Sequence, residues 1–381
     1  MRSKQGCGYF ITHIVPDGPE KYLGIPGPLS VALSINQNQT NSLLLTCSTE
    51  KSELESDPRI SKNDVSIVKK YQWGTRLSSG FSPNLWFKIL TTGKNHIFHF
   101  HFSRSINSVV IALILISQKR AFLTQTHGSV MYNDRVLTRW YDKLITKRLL
   151  RESRQVVALQ ENEKNQLIGL ALSPIPVLVI QNSVQFKGTT QVRTPRKEIL
   201  VGFVGHLRPG NNPWIFLETA KLLQNQGDFE FIMIGADGGL AQQLKQDIEF
   251  SKMENISIVG HQDLFGLQKY YEAIDVLVCP AETAQPVSFM DGIASGALGV
   301  TSRDNASWEF YNELGAKIVE NSPRAYADYL LSNQMRENLY SSERVINCEA
   351  KLTALNPKSL AIVWEKVYED IYQMLFSNRA S

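Results

Sequence analysis

Cysteine is scarce in this chain: 4 residues in 381, at positions 7, 47, 279 and 348, and no two of them form a Cys-x-x-Cys pair. That scatter argues against a zinc knuckle and against a dense disulfide framework, and it suits a reducing compartment. An excess of charge of one sign is missing as well. The 40 Lys and Arg against 36 Asp and Glu leave +4, too little to mark the whole chain as a nucleic-acid binder, so a basic partner surface has to be local. Long apolar runs are absent: the longest, Val109 to Ile116, is too short to span a bilayer, and none follows the basic residues at the N-terminus. The expectation is a soluble, cytoplasmic protein. No Gly-x-Gly-x-x-Gly follows the first strand of either half, which disfavours a nicotinamide dehydrogenase. There is no internal repeat and no low-complexity tract.

What is present is ordinary globular material, 43% hydrophobic and 20% charged, in a length that favours two domains. Short β-branched and aromatic runs alternate with helix-like stretches, the pattern of parallel α/β units. In the first half the strands read as Tyr9 to Val15, Ser42 to Cys47, His96 to Phe102, Ala121 to Thr126, Gln155 to Leu159 and Val177 to Ile180. The helices between them read as Pro28 to Ile35, Ile106 to Ser117, Arg135 to Leu150 and Glu161 to Leu170. Residues 49–90 follow neither period and stay unassigned. After Asn182 the chain turns polar through Lys187 to Lys197, a linker, and a fresh strand, Ile199 to Val204, opens a second alternating series. Two doubly wound sheets follow, each binding at the carboxyl ends of its strands, with a ligand cleft expected between the domains.

Two turns follow buried-looking strands of the second half. Gly205-His-Leu-Arg-Pro-Gly-Asn-Asn-Pro213 leads into a helix near Trp214, where unpaired amides and the helix dipole favour an anion and Arg208 adds a formal charge. A plain strand-to-helix turn punctuated by Gly and Pro accounts for the same residues. Gly235-Ala-Asp-Gly-Gly239 permits close backbone approach, and tight packing alone explains it.

The segment Asp275 to Val300 resembles the donor-site stretch of retaining glycosyltransferases of the large family four, which have the GT-B fold of two Rossmann-like domains facing across a cleft. Asp291-Gly-Ile-Ala-Ser-Gly296 is similar to that family's Glu-Ala-x-Ala-x-Gly helix opening, and Val204 to Pro213 to its Val-Gly-Arg-Leu-x-Pro-x-Lys-Asn-Pro turn. Phe98-His-Phe-His101, Thr126-His-Gly128, Val157 to Gln160 and Val179 to Val184 fall in the family's order. Before His96 only Ile11 to Val15 and the Gly24 to Pro28 loop match. The resemblance implies an acceptor-side domain at 1–187, a donor-nucleotide domain at 188–360 and a C-terminal helix at 361–381 that crosses back to the first.

By the same resemblance, Asp291 takes the ribose hydroxyls, and Thr283, Ala284, Gln285, Pro286 and Val287 approach the sugar and phosphates. His127 reaches the transferred sugar, Glu282 stands in for the loop glutamate as a catalytic residue, and Gly27 and Pro28 belong to the acceptor-side loop. Gly205, His206, Arg208 and Asn211 complete the donor set. The departures fall on charged contacts: the family's phosphate-binding Arg is His206, its Lys is Asn211, and its paired glutamates become Thr283 and Asp291. Arg208 and a protonated His206 are the candidate replacements, although histidine is only partly charged near neutral pH. Retaining transfer of this type needs no protein nucleophile, no metal and no cofactor, because preorganised donors and positive charge stabilise the leaving phosphate. Asp291 serves equally as a dipole-complementing acid at a helix start, and His127 as an ordinary loop histidine.

Two further patterns remain. His99 and His101 share one face of a strand, yet with no acidic or Cys partner to complete a ligand set they read as buried or loop-edge histidines and not as a metal site. Arg135, Arg139, Lys143, Lys147 and Arg151 recur every four residues among Leu137, Trp140, Tyr141, Leu144 and Ile145. That basic amphipathic helix suits an anionic membrane surface, or simply a solvated face over the sheet. The combined expectation is a hexosyltransferase using a nucleotide-diphosphate sugar, acting on a glycan or lipid-linked acceptor in surface polysaccharide or glycoconjugate synthesis at the inner membrane face, with no nucleic-acid partner. The alternatives are a catalytically silent nucleotide-sugar-binding or scaffold subunit and a nucleotide-sugar epimerase.

Overall fold

The computed structural model describes residues 9–17, 27–39, 41–49, 65–72, 80–130, 136–184, 193–282 and 286–376. Of the site candidates, Arg135, Thr283, Ala284 and Gln285 lie outside the described residues. Two compact units form: among the described residues, one holds those up to Gln181 and again from Pro357, and the other those from Asn182 to Asn356.

In the first unit the strands are β1 (Phe10–Val15), β2 (Ser42–Ser48), β3 (Val65–Lys69), the short pair β4 (Tyr71–Gln72) and β5 (Gly80–Phe81), then β6 (His96–His101), β7 (Ala121–Gln125), β8 (Gln155–Ala158) and β9 (Val177–Val179). Its helices are α1 (Gly27–Asn36), α2 (Pro83–Thr91), α3 (Ile106–Ser117), α4 (Val136–Tyr141), α5 (Lys147–Glu152) and α6 (Glu161–Ala171). Seven strands pair in the order β3-β2-β1-β6-β7-β8-β9, all parallel, and β4 and β5 pair apart from them, antiparallel. Phe98, Phe100, Phe102, Phe122, Ile111 and Leu115 fill the core on one face.

The unassigned region at 49–90 holds β3, β4, β5 and α2. The start of α2 has a local cause: Ser82 Oγ accepts the Leu85 amide at 3.4 Å and Pro83 takes the first helical position. The single helix expected over 135–150 is instead α4, a π-turn at Asp142–Thr146, and α5. Arg104 grips Asp142 bidentately, at 2.9 and 2.6 Å, and Thr146 Oγ1 adds a bond to Asp142 Oδ1 at 2.8 Å, so the turn widens around a half-buried ion pair.

The second unit carries β10 (Ile199–Val204), α7 (Pro213–Leu222), β11 (Phe229–Ile234), α8 (Ala241–Phe250), β12 (Ile256–Gly260), α9 (Leu264–Ala273), β13 (Val276–Cys279), α10 (Val287–Ala294), β14 (Leu298–Ser302), α11 (Trp308–Glu313), β15 (Lys317–Val319), α12 (Pro323–Leu331), α13 (Asn333–Leu339) and α14 (Ser342–Ala354). Its parallel sheet runs β12-β11-β10-β13-β14-β15. One face packs Phe203, Phe216, Phe231 and Tyr326, the other Ile234, Leu277, Phe289 and Ile293. The last helix, α15 (Pro357–Phe376), returns to the first unit, where Trp364 and Tyr368 are buried.

Candidate functional site

In the second sheet the strand order reverses at β10, with β11 and β12 on one side and β13 to β15 on the other. A parallel sheet opens a ligand crevice at the carboxyl ends of the strands where its order reverses. There the loops after β10 and β13 meet, and both had been singled out in the sequence. Asn212, at φ 50°, donates from Nδ2 to the Pro280 carbonyl and to Glu282 Oε1, each at 3.1 Å. Ser288 Oγ donates to the Val204 carbonyl at 2.8 Å. These bonds tie the two loops together across the reversal.

The glycines have separate causes. A Cβ on Gly235 would stand 1.9 Å from the Gly205 carbonyl oxygen, so the loops after β10 and β11 run in contact. Asp237 Oδ1 accepts the Gly239 and Ala241 amides and caps α8, and those bonds hold its carboxyl below the usual range. The second glycine turn is therefore packing and capping.

The grip expected from the 205–212 amides is corrected. The amides of Gly205, Leu207, Arg208, Asn211 and Asn212 all donate within the protein. Asn211 Nδ2 is also committed, to the His206 carbonyl at 2.8 Å. Burial, then Arg208 and His261, push the pKa of His206 down, which disfavours its charged form. Positive groups on this edge include Arg208, exposed after β10, and Arg303, exposed after β14 with its guanidinium 5.4 Å from the Trp308 ring centroid. Sequence reasoning missed Arg303, whose only signal was its place just past a strand end. Pro286 precedes α10, whose N-terminus at Val287 has no capping side chain, a second electropositive feature. The helix starts four residues before its expected opening. Asp291 therefore sits a turn inside it, 3% exposed, beside Tyr271, whose phenol is pushed well up by burial and by the Asp291 charge. Glu282 is exposed.

In the first unit the order reverses between β1 and β6, and histidines gather there. His13 and His99 are register partners, as are His101 and Gln125. His13 Nδ1 lies 3.1 Å from His101 Nε2, and His101 Nδ1 lies 2.8 Å from His127 Nε2. His99 bonds Gln125 Oε1 at 3.0 Å and the Tyr368 hydroxyl at 2.8 Å. The sequence lacked a third ligand, and His13 supplies one: ligand atoms of His13, His99 and His101 lie within 4.8 Å of one another. The rings do not converge on an ion, however, since His99 and His101 stack at 4.1 Å with planes 16° apart. A metal lies in the plane of each imidazole that binds it, and stacked planes share no such point.

His127 follows β7 at φ 50°, in the left-handed region that non-glycine residues seldom enter. Glu163, 1% exposed and three residues past the cap of α6, holds it there. Its Oε1 accepts Thr126 Oγ1 at 2.5 Å and the Gly128 amide at 2.8 Å, and its Oε2 accepts the Leu159 amide at 2.7 Å. In the sequence Glu163 is merely an acid in a helix's first turn.

Gly27 opens α1 and Pro28 follows it, half-buried. Of the basic series, Arg139 and Lys143 are exposed, beside Leu137, Trp140 and Leu144, which are 85%, 56% and 60% exposed. Lys143 Nζ stands 5.6 Å from the Trp140 ring centroid. Lys147 is half-buried, and Arg151 leaves the stripe: its Nε donates to the Ala171 carbonyl at 2.8 Å, at the end of α6. The π-turn breaks the four-residue period. Among the described residues no helix is long and apolar enough to cross a membrane.

The fold compares directly with known proteins. Alr3699/HepE from Anabaena, in complex with UDP and glucose, superposes with a TM-score of 0.73 at 12% identity, covering 95% of this chain and 100% of that one. This chain has the GT-B fold. The pneumococcal O-GlcNAc transferase GtfA, in complex with UDP and GlcNAc, gives 0.72 at 9% identity, over 96% and 99% of the two chains. A glycosyltransferase from Rickettsia africae gives 0.67 at 15%, over 96% and 99%. Residues 198–332, within the second unit, match the family model Glycosyl transferases group 1. No curated protein matches the chain.

Proposed function

We propose that this protein transfers a hexose-type sugar, with retention, from a nucleotide diphosphate to a hydroxyl of a glycan or glycolipid in surface polysaccharide or glycoconjugate synthesis. The observation that carries the reading is the second unit's strand reversal, flanked by two loops tied through Asn212 and Ser288, with Arg208 exposed and the α10 N-terminus uncapped. Such a place suits a diphosphate. The UDP complexes of HepE and GtfA support a UDP-linked donor. Arg208 and Arg303 are assigned to the leaving phosphates, Asp291 to the ribose and His127 to the transferred sugar. Glu282 is assigned to the catalytic loop, and Thr283, Ala284 and Gln285 to backbone contacts. No cofactor or metal is required by this assignment.

The acceptor is proposed to lie at an anionic membrane surface reached by α4, because exposed Leu137, Trp140 and Leu144 stand beside exposed Arg139 and Lys143. Incubation with radiolabelled UDP-glucose or UDP-GlcNAc and a lipid-linked glycan tests the whole: a new glycosidic bond is expected, in the donor's anomeric configuration. Thermal stabilisation by a nucleotide sugar without transfer or hydrolysis would favour the silent binding subunit instead. The internal commitment of Asn211 and the depressed basicity of His206 support that second reading.

A further inference from the structure

The histidine array of the first unit is a directed chain of hydrogen bonds, and its direction sets what His127 recognises. Gln39, just past α1, places its amide oxygen Oε1 3.2 Å from His13 Nε2. An amide oxygen only accepts, so His13 carries its proton on Nε2. A neutral imidazole has one N–H, which leaves His13 Nδ1 as an acceptor. His101 Nε2, 3.1 Å away, must then donate, and His101 Nδ1 is left as an acceptor in turn. His127 Nε2, 2.8 Å from it, donates. His127 Nδ1 is therefore a bare lone pair.

Neutrality of each link is required, and burial enforces it. His13 is pushed down to about 4 and His127 to about 3 by burial, and His101 falls well below its ordinary value through burial and the neighbouring histidines. Backbone strain at His127 and the Glu163 brace fix where that lone pair points.

We infer that Gln39, His13 and His101 are positioning residues that lock His127 as a hydrogen-bond acceptor through Nδ1, so that the group seated against it is a donor, a sugar hydroxyl or an amide N–H, and not a carboxylate or phosphate. This deepens the proposed transferase and rests on His127 belonging to its site. Gln39 makes no bond to His127; it acts two imidazoles away.

Histidine nitrogen NMR on uniformly ¹⁵N-labelled full-length protein tests it without a substrate. The chain has 7 histidines, and the signal missing from H127Q identifies His127. Wild-type His127 is expected as the neutral Nε2–H form at pH 7; an Nδ1–H form overturns the inference. In Gln39→Leu the buried Nε2–H of His13 loses its acceptor, so the chain is expected to reverse and carry His127 to Nδ1–H. An unchanged Nε2–H in folded Q39L overturns the coupling.

Transfer by Q39L is expected to fall roughly tenfold, the worth of one hydrogen bond near the top of its ordinary range. Full activity with a reversed His127 would remove the recognition role. If no donor is turned over by wild type while the NMR result holds, the transferase reading fails and the directed chain stands.

Discussion

Glu163 Oε1 accepts the Gly128 amide at 2.8 Å across 35 residues of sequence, and through that bond a helix start in one αβ step holds a strained turn in another. Removing the carboxylate takes away the acceptor of the Gly128 amide and the Thr126 hydroxyl, and the Leu159 amide loses its bond to Oε2. Glu163→Ala is expected to cost about 2 to 3 kcal/mol, because buried donors left unpaired carry most of their desolvation penalty. Thermal melting measures it, and a loss under 0.5 kcal/mol would reject the brace. His127→Ala, by contrast, should lower transfer activity with little change in melting temperature.

Gly235 admits no side chain, since a Cβ there would sit 1.9 Å from a backbone oxygen that cannot move without separating two strands. Gly235→Ala should therefore destabilise by about 3 kcal/mol or more, at the upper end of overpacking. That corresponds to a melting temperature lower by roughly 6 to 12 °C for a unit of this size. A melt within one degree of wild type would show that the loops are not in register.

Arg208 and Arg303 are exposed cations just past strand ends at the carboxyl edge of the second sheet. Charge-assisted bonds to phosphate are worth about 1.5 to 3 kcal/mol, less where solvent screens them. Arg208→Met should weaken UDP binding about tenfold by calorimetry, and Arg303→Met by a smaller factor. Equal affinity in the double variant would move the diphosphate elsewhere.

The pH dependence has a definite sign. The pKa of His13 is depressed from 6.5 in the unfolded chain to about 4. The folded state thus binds fewer protons between those values. Its stability is fully present above pH 6.5 and is lost as the pH falls through 4. His99 and His101 are lowered by burial and by their neighbours, and act in the same sense. Melting temperature followed from pH 7.5 to 4.5 should fall steadily, and His13→Gln should flatten the fall. A flat profile in the wild type would contradict the buried neutral array.

On α4 and the π-turn that follows it, neutralising Arg139 and Lys143 together should reduce partition onto anionic vesicles roughly thirtyfold, at about 1 kcal/mol per cation. Arg151→Ala should leave partition unchanged and lower stability, since its guanidinium holds the end of α6. Equal effects of the two variants would return the basic series to a single stripe.

Most strands up to β13, their parallel character and the turn from Gly205 to Asn212 were legible because hydrophobic runs and glycine punctuation are local signals. What escaped was set by register. His13 meets His101 across 88 residues, and only the pairing of β1 with β6 brings them together, so the third histidine was invisible beside His99 and His101. Asp291 was placed at a helix start because its spacing to Gly296 matched one, whereas α10 begins at Val287. The lowered pKa of His206 was hidden for a related reason: burial causes it, then a neighbouring arginine, and neither is written in the local sequence. The break in the basic helix needed Arg104, 38 residues before Asp142, to be seen.

The Tyr368 hydroxyl that meets His99 arrives 269 residues later in the chain, after the whole of the second unit. On the ribosome the Asn182–Asn356 stretch therefore emerges entire while the earlier sheet still lacks its final covering helix. Until Trp364 and Tyr368 emerge, His99 lacks the two aromatic rings that pack against its imidazole. The order of synthesis thus makes the last helix the element that completes the packing around His99.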